Sequence, residues 1–358
     1  MLNNKKSTLF FMIVFLGLTA CQKESSVPNS AKTSEASDQN LENHVKANLT
    51  AENQKLTAES CDTVDANIKL LKQQFSPQHL LSLNKQFQRC LASVDLEQRY
   101  QWLSETDKIY AVQISKLPEN VSNYIRQVSS DGNTLTETKL NQIQSQMTDQ
   151  EKFIIDHQKD LYLAPYNLGE GDYAVAQSPQ YAYMIFAPHL PQADQVFLKA
   201  TLEQENAIKG SIDKDAGLSV SFDQLSNWII SWEDYLKKYP ESHFVNDAQS
   251  TISFYEKYLF LGLENTPVFE INDYNVEMIP EAGKAIVKLS KADSPSARKA
   301  QQLLDYFDHY AFTESQLDEA TATQAEYNAF MNETQQGIQR FRENYSDNLV
   351  KLLNLKAN

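Results

Sequence analysis

The sequence predicts a mainly α protein, a multi-helix bundle or irregular helical array with a non-helical, aromatic-rich insertion near residues 164–191. Three observations carry this. From about residue 60 onward apolar residues recur at three- and four-residue spacing, the period of a helix that buries one face. Helix-start signatures (Ser-Pro, Asp-x-x-Gln, Ser-x-x-Gln) stand at the heads of these runs. Only 9 glycines occur among 358 residues, too few for a fold of many tight turns or for glycine-rich phosphate loops. A hydrophobic fraction of 41% is enough for one large core or two smaller ones.

Val64, Ile68, Leu71 and Phe75 define the first helical face, with Cys61 in phase with them. Ser76-Pro77 supplies an N-cap and a first-turn proline, and Leu80, Leu83, Phe87 and Cys90 continue the spacing. Two helices joined by so short a turn run antiparallel. Cys61 and Cys90 then fall at the same end of the pair, both facing its seam. A third helix is expected from Asp95, with Gln98 completing a capping box, carrying Leu96, Tyr100, Leu103 and Tyr110 as far as Pro118. Ser130-Asp131-Gly132 reads as a turn. Leu140, Ile143 and Met147 suggest another helix, and residues 151–163 a further one.

The clearest local pattern is central. Ser221-x-x-Gln224 caps a run with Phe222, Leu225, Trp228, Ile229, Trp232, Tyr235, Leu236 and Tyr239 on one broad face, and Pro240 ends it. A second helix follows from about His243 to Leu261, before Gly262. The stretch from Trp232 to Ala248 resembles the helix–turn–helix of tetratricopeptide-type units in envelope lipoproteins. No second copy occurs at a fixed period, so one helical hairpin within a larger bundle is expected rather than a solenoid. Near the C-terminus, Leu317, Met331, Ile338, Tyr345 and Leu352 share one heptad register, and Ala320, Tyr327, Thr334 and Phe341 another. Polar Gln324 and Thr334 interrupt them, so a closing helix packed along the body is expected rather than a dimeric coiled coil.

The amino terminus has a different character. Lys5 and Lys6 precede ten almost wholly apolar residues, 9–18, which span about 15 Å as a helix, half a hydrocarbon core. That suits a signal-peptide core and not a membrane span. Leu18-Thr19-Ala20-Cys21 comes directly after it and resembles the lipobox of bacterial lipoprotein precursors. The resemblance implies a signal peptide over residues 1–20, cleavage before Cys21, and acylation of Cys21 as the membrane anchor. Gln22, in place of the aspartate that often retains such proteins in the inner membrane, implies the outer membrane with the body in the periplasm. Residues 21–56 are polar and aperiodic, which predicts a disordered linker. Helical subdomains are expected over residues 57–163 and 164–358. Two cysteines remain after Cys21, and the implied compartment is oxidising, which predicts a Cys61–Cys90 disulfide. Two buried free thiols are the alternative.

The formal net charge is −15; removal of residues 1–20, which hold two lysines and no acid, makes it −17. That excess argues against nucleic acid or an anionic surface held by charge. No phosphate loop, zinc helix or nucleophile elbow occurs, and no cofactor is expected. Asp305 and His309 lie one helical turn apart but leave a zinc site incomplete. Residues 212–220 alternate acids in the manner of a calcium loop. Leu218 stands where the sharp-turn glycine belongs and Gln224 where a bidentate glutamate would be, so a helix-to-helix connector is expected.

In the aromatic insertion, Tyr166, Glu170, Asp172 and Tyr173 form the candidate binding set. Two glycines there allow close backbone approach and the rings offer faces for a sugar or peptide. Packing between helical subdomains is the competing role for these aromatics. The loop 264–269 is a second candidate surface. The expectation is a non-catalytic envelope lipoprotein binding a protein or peptidoglycan partner. The alternative is a cell-wall glycan hydrolase or lytic transglycosylase, with Glu170 as a buried acid in an aromatic cleft.

Overall fold

The structure is a computed structural model and describes residues 60–129, 136–271, 275–310 and 322–353. The lipobox segment, the linker, the turn expected at residues 130–132, Leu317 and Ala320 lie outside the described residues. The protein is mainly α, with short two-stranded hairpins between its helices. Among the described residues no helix is long and apolar enough to cross a membrane.

The chain divides into two compact units, one up to Lys116 and one from Leu117 on. In the first, a 3-10 turn at Cys61–Thr63 leads into α1 (Val64–Leu71), followed by α2 (Pro77–Cys90) and α3 (Leu96–Ser115). Cys61 and Cys90 form a disulfide with their Cα atoms 5.7 Å apart. Val64, Ile68, Leu71, Leu80, Leu83 and Phe87 are buried as their spacing required, each contributing about 1.5–3 kcal/mol. Phe75 lies beyond the end of α1, half-buried. Asp95 caps α3 through the N–H of Gln98. Ser76 precedes Pro77, but its hydroxyl bonds the His79 ring (2.6 Å) rather than a helical N–H. The turn is satisfied instead by buried Gln113 of α3, which accepts from Ser76 N at 2.9 Å and donates to Leu71 O and Gln74 O at 2.8 Å each.

The second unit begins with α4 (Glu119–Ser129), α5 (Glu137–Ser145) and α6 (Asp149–Asp156). Strands β1 (Leu163–Gly169) and β2 (Asp172–Gln177) then form an antiparallel hairpin. The helix expected over 151–163 therefore stops at Asp156, and Leu163 starts a strand. The division between units also falls earlier than the expected break after residue 163. The reason is packing: α4 lies on both hairpin strands and on α6, so this segment shares its core with the β1–β2 hairpin. The aromatic insertion regains helix at α7 (Gln180–Ile185) and passes through a 3-10 turn at Ala187–His189 into α8 (Gln192–Ile208).

Strands β3 (Asp213–Lys214) and β4 (Gly217–Leu218) occupy the expected connector as a tight hairpin. Helices α9 (Phe222–Lys238) and α10 (Val245–Leu261) form the central helical hairpin, with the Ser221–Gln224 capping box in place. Phe197 of α8 stacks on Phe244 at 4.4 Å and meets Trp232 at 5.1 Å, so this core spans α8, α9 and the turn after it. The loop 264–269 is not free. It holds β6 (Thr266–Pro267), which pairs with β5 (Gly262–Leu263) just before it, and the start of β7 (Phe269–Ile271), which pairs with β8 (Val276–Met278). Helices α11 (Pro280–Ser290), α12 (Pro295–Tyr310) and α13 (Gln324–Leu352) complete the unit. Among the described side chains of α13 the buried ones are Phe330, Thr334, Gly337, Ile338 and Phe341; Ile338 lies on one heptad register, Thr334 and Phe341 on the other, and Phe330 and Gly337 on neither. A helix packed on the body of a protein buries a 3.6-residue stripe rather than the 3.5-residue seam of a coiled coil. Phe341 meets Phe269 at 4.9 Å and Tyr306 at 6.2 Å.

Candidate functional site

The sequence placed Tyr166, Glu170, Asp172 and Tyr173 together; the hairpin register separates them. Tyr166 pairs with Ala174 and Asn167 with Tyr173, so the two tyrosines point to opposite faces. Tyr173 is buried, and Asn167 Nδ2 donates to its hydroxyl at 3.2 Å. Glu170 and Gly171 form the tip with φ of 50° and 76°, the left-handed pair of a type I′ turn. Glu170 and Asp172 are exposed there. Glu170 thus lacks the burial that an acid catalyst in a cleft requires.

Tyr166 belongs to a different cluster. Helix α8 ends on left-handed Lys209, and Gly210 follows at φ 122°. A Cβ on Gly210 would lie 2.3 Å from Asn167 O, so only glycine lets this connector press on β1. The contact is sealed by Ser211 N donating to Asn167 O at 2.7 Å. It brings Ser211 to the Tyr166 side chain, where its influence lowers the phenol's pKa, and puts Glu205 of α8 near enough for its charge to act on the same ring. From α10 come Tyr255 and Tyr258, three residues apart on one helical face. Tyr255 donates to Gln204 Oε1 at 2.9 Å, an acceptor shared with Trp232 Nε1 at 2.9 Å. The aromatic surface continues through Phe254, edge-on to Tyr258 at 5.0 Å, and through Trp228, 5.2 Å from Tyr255.

The electrostatics of this cluster have one sign. Burial raises the Glu205 carboxyl above the usual carboxylate range. Burial raises Tyr166, helped by the Glu205 charge and opposed by Ser211. Tyr258 is pushed up to about 12 by burial and then by Asp213 and Tyr166. Tyr255 is raised by burial and by Glu205. All three rings are therefore neutral phenols at physiological pH. Glu205 and Tyr258 lie inside regular helices with no motif around them, and nothing in their local sequence marked them. Only Tyr166 was legible.

Three further arrangements are structural. Buried Glu233 of α9 accepts from Ser296 N at 2.9 Å at the start of α12 and contacts Ser296 Oγ at 2.7 Å. The same Oγ lies 2.8 Å from Glu256 of α10, whose other oxygen pairs with Lys299 at 2.6 Å. These acids tie three helices together and are 5% and 1% exposed, closed to substrate. Ser242 Oγ donates to buried Asp194 at 2.7 Å and meets Tyr235 OH at 2.5 Å, fixing the α9–α10 turn on α8; Tyr235 is pushed up to about 12, chiefly by burial. Asp305 accepts from Gln301 at 2.8 Å. Among the described residues no group of three or more His, Cys, Asp or Glu is placed to hold a metal ion.

The first unit carries a groove of about 570 Å³ between α1 and α3, a volume within the range of ligand sites. Its floor is Ile68 and Trp102, and the Lys72–Glu105 ion pair (2.5 Å) stands at its rim. Burial acts to raise Glu105, but Lys72 and Lys108 outweigh it and hold the carboxyl below its usual value. Comparisons with protein-family models, curated proteins and solved structures found no match, so the functional reading rests on the residues and their geometry.

Proposed function

We propose that this protein is a lipid-anchored envelope lipoprotein, held to the membrane through acylated Cys21, with its body in the periplasm and a non-catalytic binding or scaffold role. The observation that carries the reading is Leu18-Thr19-Ala20-Cys21 placed directly behind the ten-residue apolar run. One acyl chain holds a protein marginally and several hold it stably, so a triply acylated Cys21 is a permanent tether. The Cys61–Cys90 bridge supports an oxidising compartment. Gln22 favours the outer membrane. The acidic balance leaves an envelope protein or peptidoglycan as partner rather than nucleic acid. Metabolic labelling with a palmitate analogue tests the anchor: label is expected on the native chain and not on Cys21→Ser. An unlabelled native chain would overturn the reading.

A glycan hydrolase or lytic transglycosylase is favoured by one observation. Glu205 has the burial, the raised carboxyl and the aromatic neighbours that exposed Glu170 lacks. A zymogram on purified peptidoglycan separates the two readings. Clearing that disappears in Glu205→Gln establishes the hydrolase; no clearing by the native chain leaves the binding role.

A further inference from the structure

The β1–β2 hairpin has two outer edges, and one of them is closed. Ser211 N donates to Asn167 O at 2.7 Å and Leu163 N to Gln158 O at 3.1 Å, while Ser178 N continues the ladder by donating to Tyr162 O at 2.7 Å. Leu163, Pro165 and Asn167 therefore turn their backbone groups away from β2. Their partners Gln177, Val175 and Tyr173 turn theirs away from β1. On the β1 side the 209–211 connector covers Asn167, Gln158 takes up both backbone groups of Leu163, and exposed Pro165 has no N–H to offer. On the β2 side the Asp172 carboxylate accepts from Tyr173 N at 2.9 Å. Beyond it, among the described residues, nothing bonds the outward N–H or C=O of Val175 or Gln177. Residues 174–177 are half-exposed.

An open strand edge is a template for another strand, and natural proteins block such edges with proline or lysine. Strand β1 carries such a block in Pro165, whereas β2 has neither residue over Asp172–Gln177. We propose that the β2 edge takes up an extended segment of a partner protein as a third, antiparallel strand. Antiparallel pairing lets Val175 and Gln177 each exchange both backbone bonds with the residue opposite. Ala174 and Ala176 lie on the hairpin face of Tyr166. Their small side chains leave room, so the incoming residues opposite them are large and apolar. Exposed Glu170 and Asp172 stand at the turn end of the edge, where a basic residue matches them. A second copy of the chain meets like charge instead, since the formal net charge is −15. This rests on the binding role proposed above and names its partner class.

The test uses the full chain in detergent and the blocked peptide acetyl-Thr-Val-Thr-Val-Thr-Lys-amide. With its first residue opposite Gln177, its valines fall opposite Ala176 and Ala174 and its lysine beside Asp172. Calorimetry gives affinity and amide hydrogen exchange gives location. The peptide is expected to bind and to slow exchange at Val175 and Gln177 by about tenfold or more. N-methylation of its third residue, whose N–H faces Val175, is expected to weaken binding about tenfold or more. N-methylation of its fourth residue, whose N–H points away, is expected to change it little. Val175→Pro removes the donor at an edge position, where proline is tolerated, and is expected to abolish binding with the circular dichroism unchanged. Should that variant not fold, the two methylated peptides decide. No binding, binding without protection of Val175 and Gln177, or equal loss from both methylations overturns the proposal. A dimer of the chain alone that protects the same two amides also overturns it, since a second copy then holds the edge. Such outcomes leave the lipoprotein reading standing, and failed palmitate labelling removes that reading without touching this result.

Discussion

The side-chain amide of Asn265 donates to the carbonyl of Asp215 at 2.5 Å, and its backbone N–H donates to the carbonyl of Ala216 at 2.8 Å. One residue of the β5–β6 tip thus holds both central carbonyls of the β3–β4 turn. That turn needs holding. Asp215 and Ala216 have φ of 55° and 54°, a region that costs an L-residue roughly 1–2 kcal/mol. Thr266 Oγ1 adds a hydrogen bond from Leu218 N at 2.9 Å. Ala216→Gly is therefore expected to stabilise the protein by up to about 1 kcal/mol, since glycine adopts this conformation without strain. Asn265→Ala is expected to destabilise it by about 1–3 kcal/mol. Thermal melting of both variants checks the pair; a loss of stability in Ala216→Gly would refute the account of strain.

Gln113 gives the second expectation. Its side chain makes all three of its hydrogen bonds to the backbone of the α1–α2 turn. Gln113→Leu keeps the bulk and leaves Ser76 N, Leu71 O and Gln74 O without this partner. A loss of about 2–4 kcal/mol is expected from uncompensated polar groups. Denaturant unfolding followed by Trp102 fluorescence, which reports on the first unit, is the measurement.

Reducing the Cys61–Cys90 disulfide reopens a 29-residue separation in the unfolded chain. The chain-entropy model puts the effect at about 3–4 kcal/mol. Melting in the presence and absence of reductant, with a Cys61→Ser, Cys90→Ser double variant as control, is expected to show the difference in the native chain alone.

Asp107 sets a pH dependence in the first unit. Burial pushes its carboxyl up to about 6, against a lowering influence from Lys108. The folded state then holds the proton more tightly than the unfolded state. The favourable contribution is complete below the unfolded value and is lost as pH rises through about 6. Asp107→Asn, which is neutral at every pH, is expected to gain up to about 3 kcal/mol relative to native at pH 8 and little at pH 4. Urea midpoints at the two pH values test the sign.

Helices were legible wherever a one-sided apolar face met a cap. The Ser221–Gln224 box, Asp95 and the 64–68–71 face all report their own local environment. Hairpins were not. Strands of two residues carry no alternation to read, and the turn at Asp215–Ala216 lacks the glycine that marks such turns. The expected helix over 151–163 failed for a related reason. Apolar residues at its end, Leu161 and Leu163, are buried by long-range packing rather than by a helical face.

The same distinction runs through the candidate site. Tyr166 stood out because an aromatic among glycines and acids breaks the surrounding helical period. Glu205 and Tyr258 did not, because each occupies an ordinary helical position and acquires its environment from elements far away in the chain.

By itself the sequence determined the helical class, the caps at Asp95 and Ser221, the placing of Cys61 and Cys90 in phase on one helical hairpin and the apolar run before Cys21, because each depends on spacing along its own segment. Tertiary structure alone decided which tyrosines share a face, which acid is withdrawn from water, and where the chain divides. Desolvation and strand register are set by what packs against a residue from outside its own segment, and no local pattern carries that information.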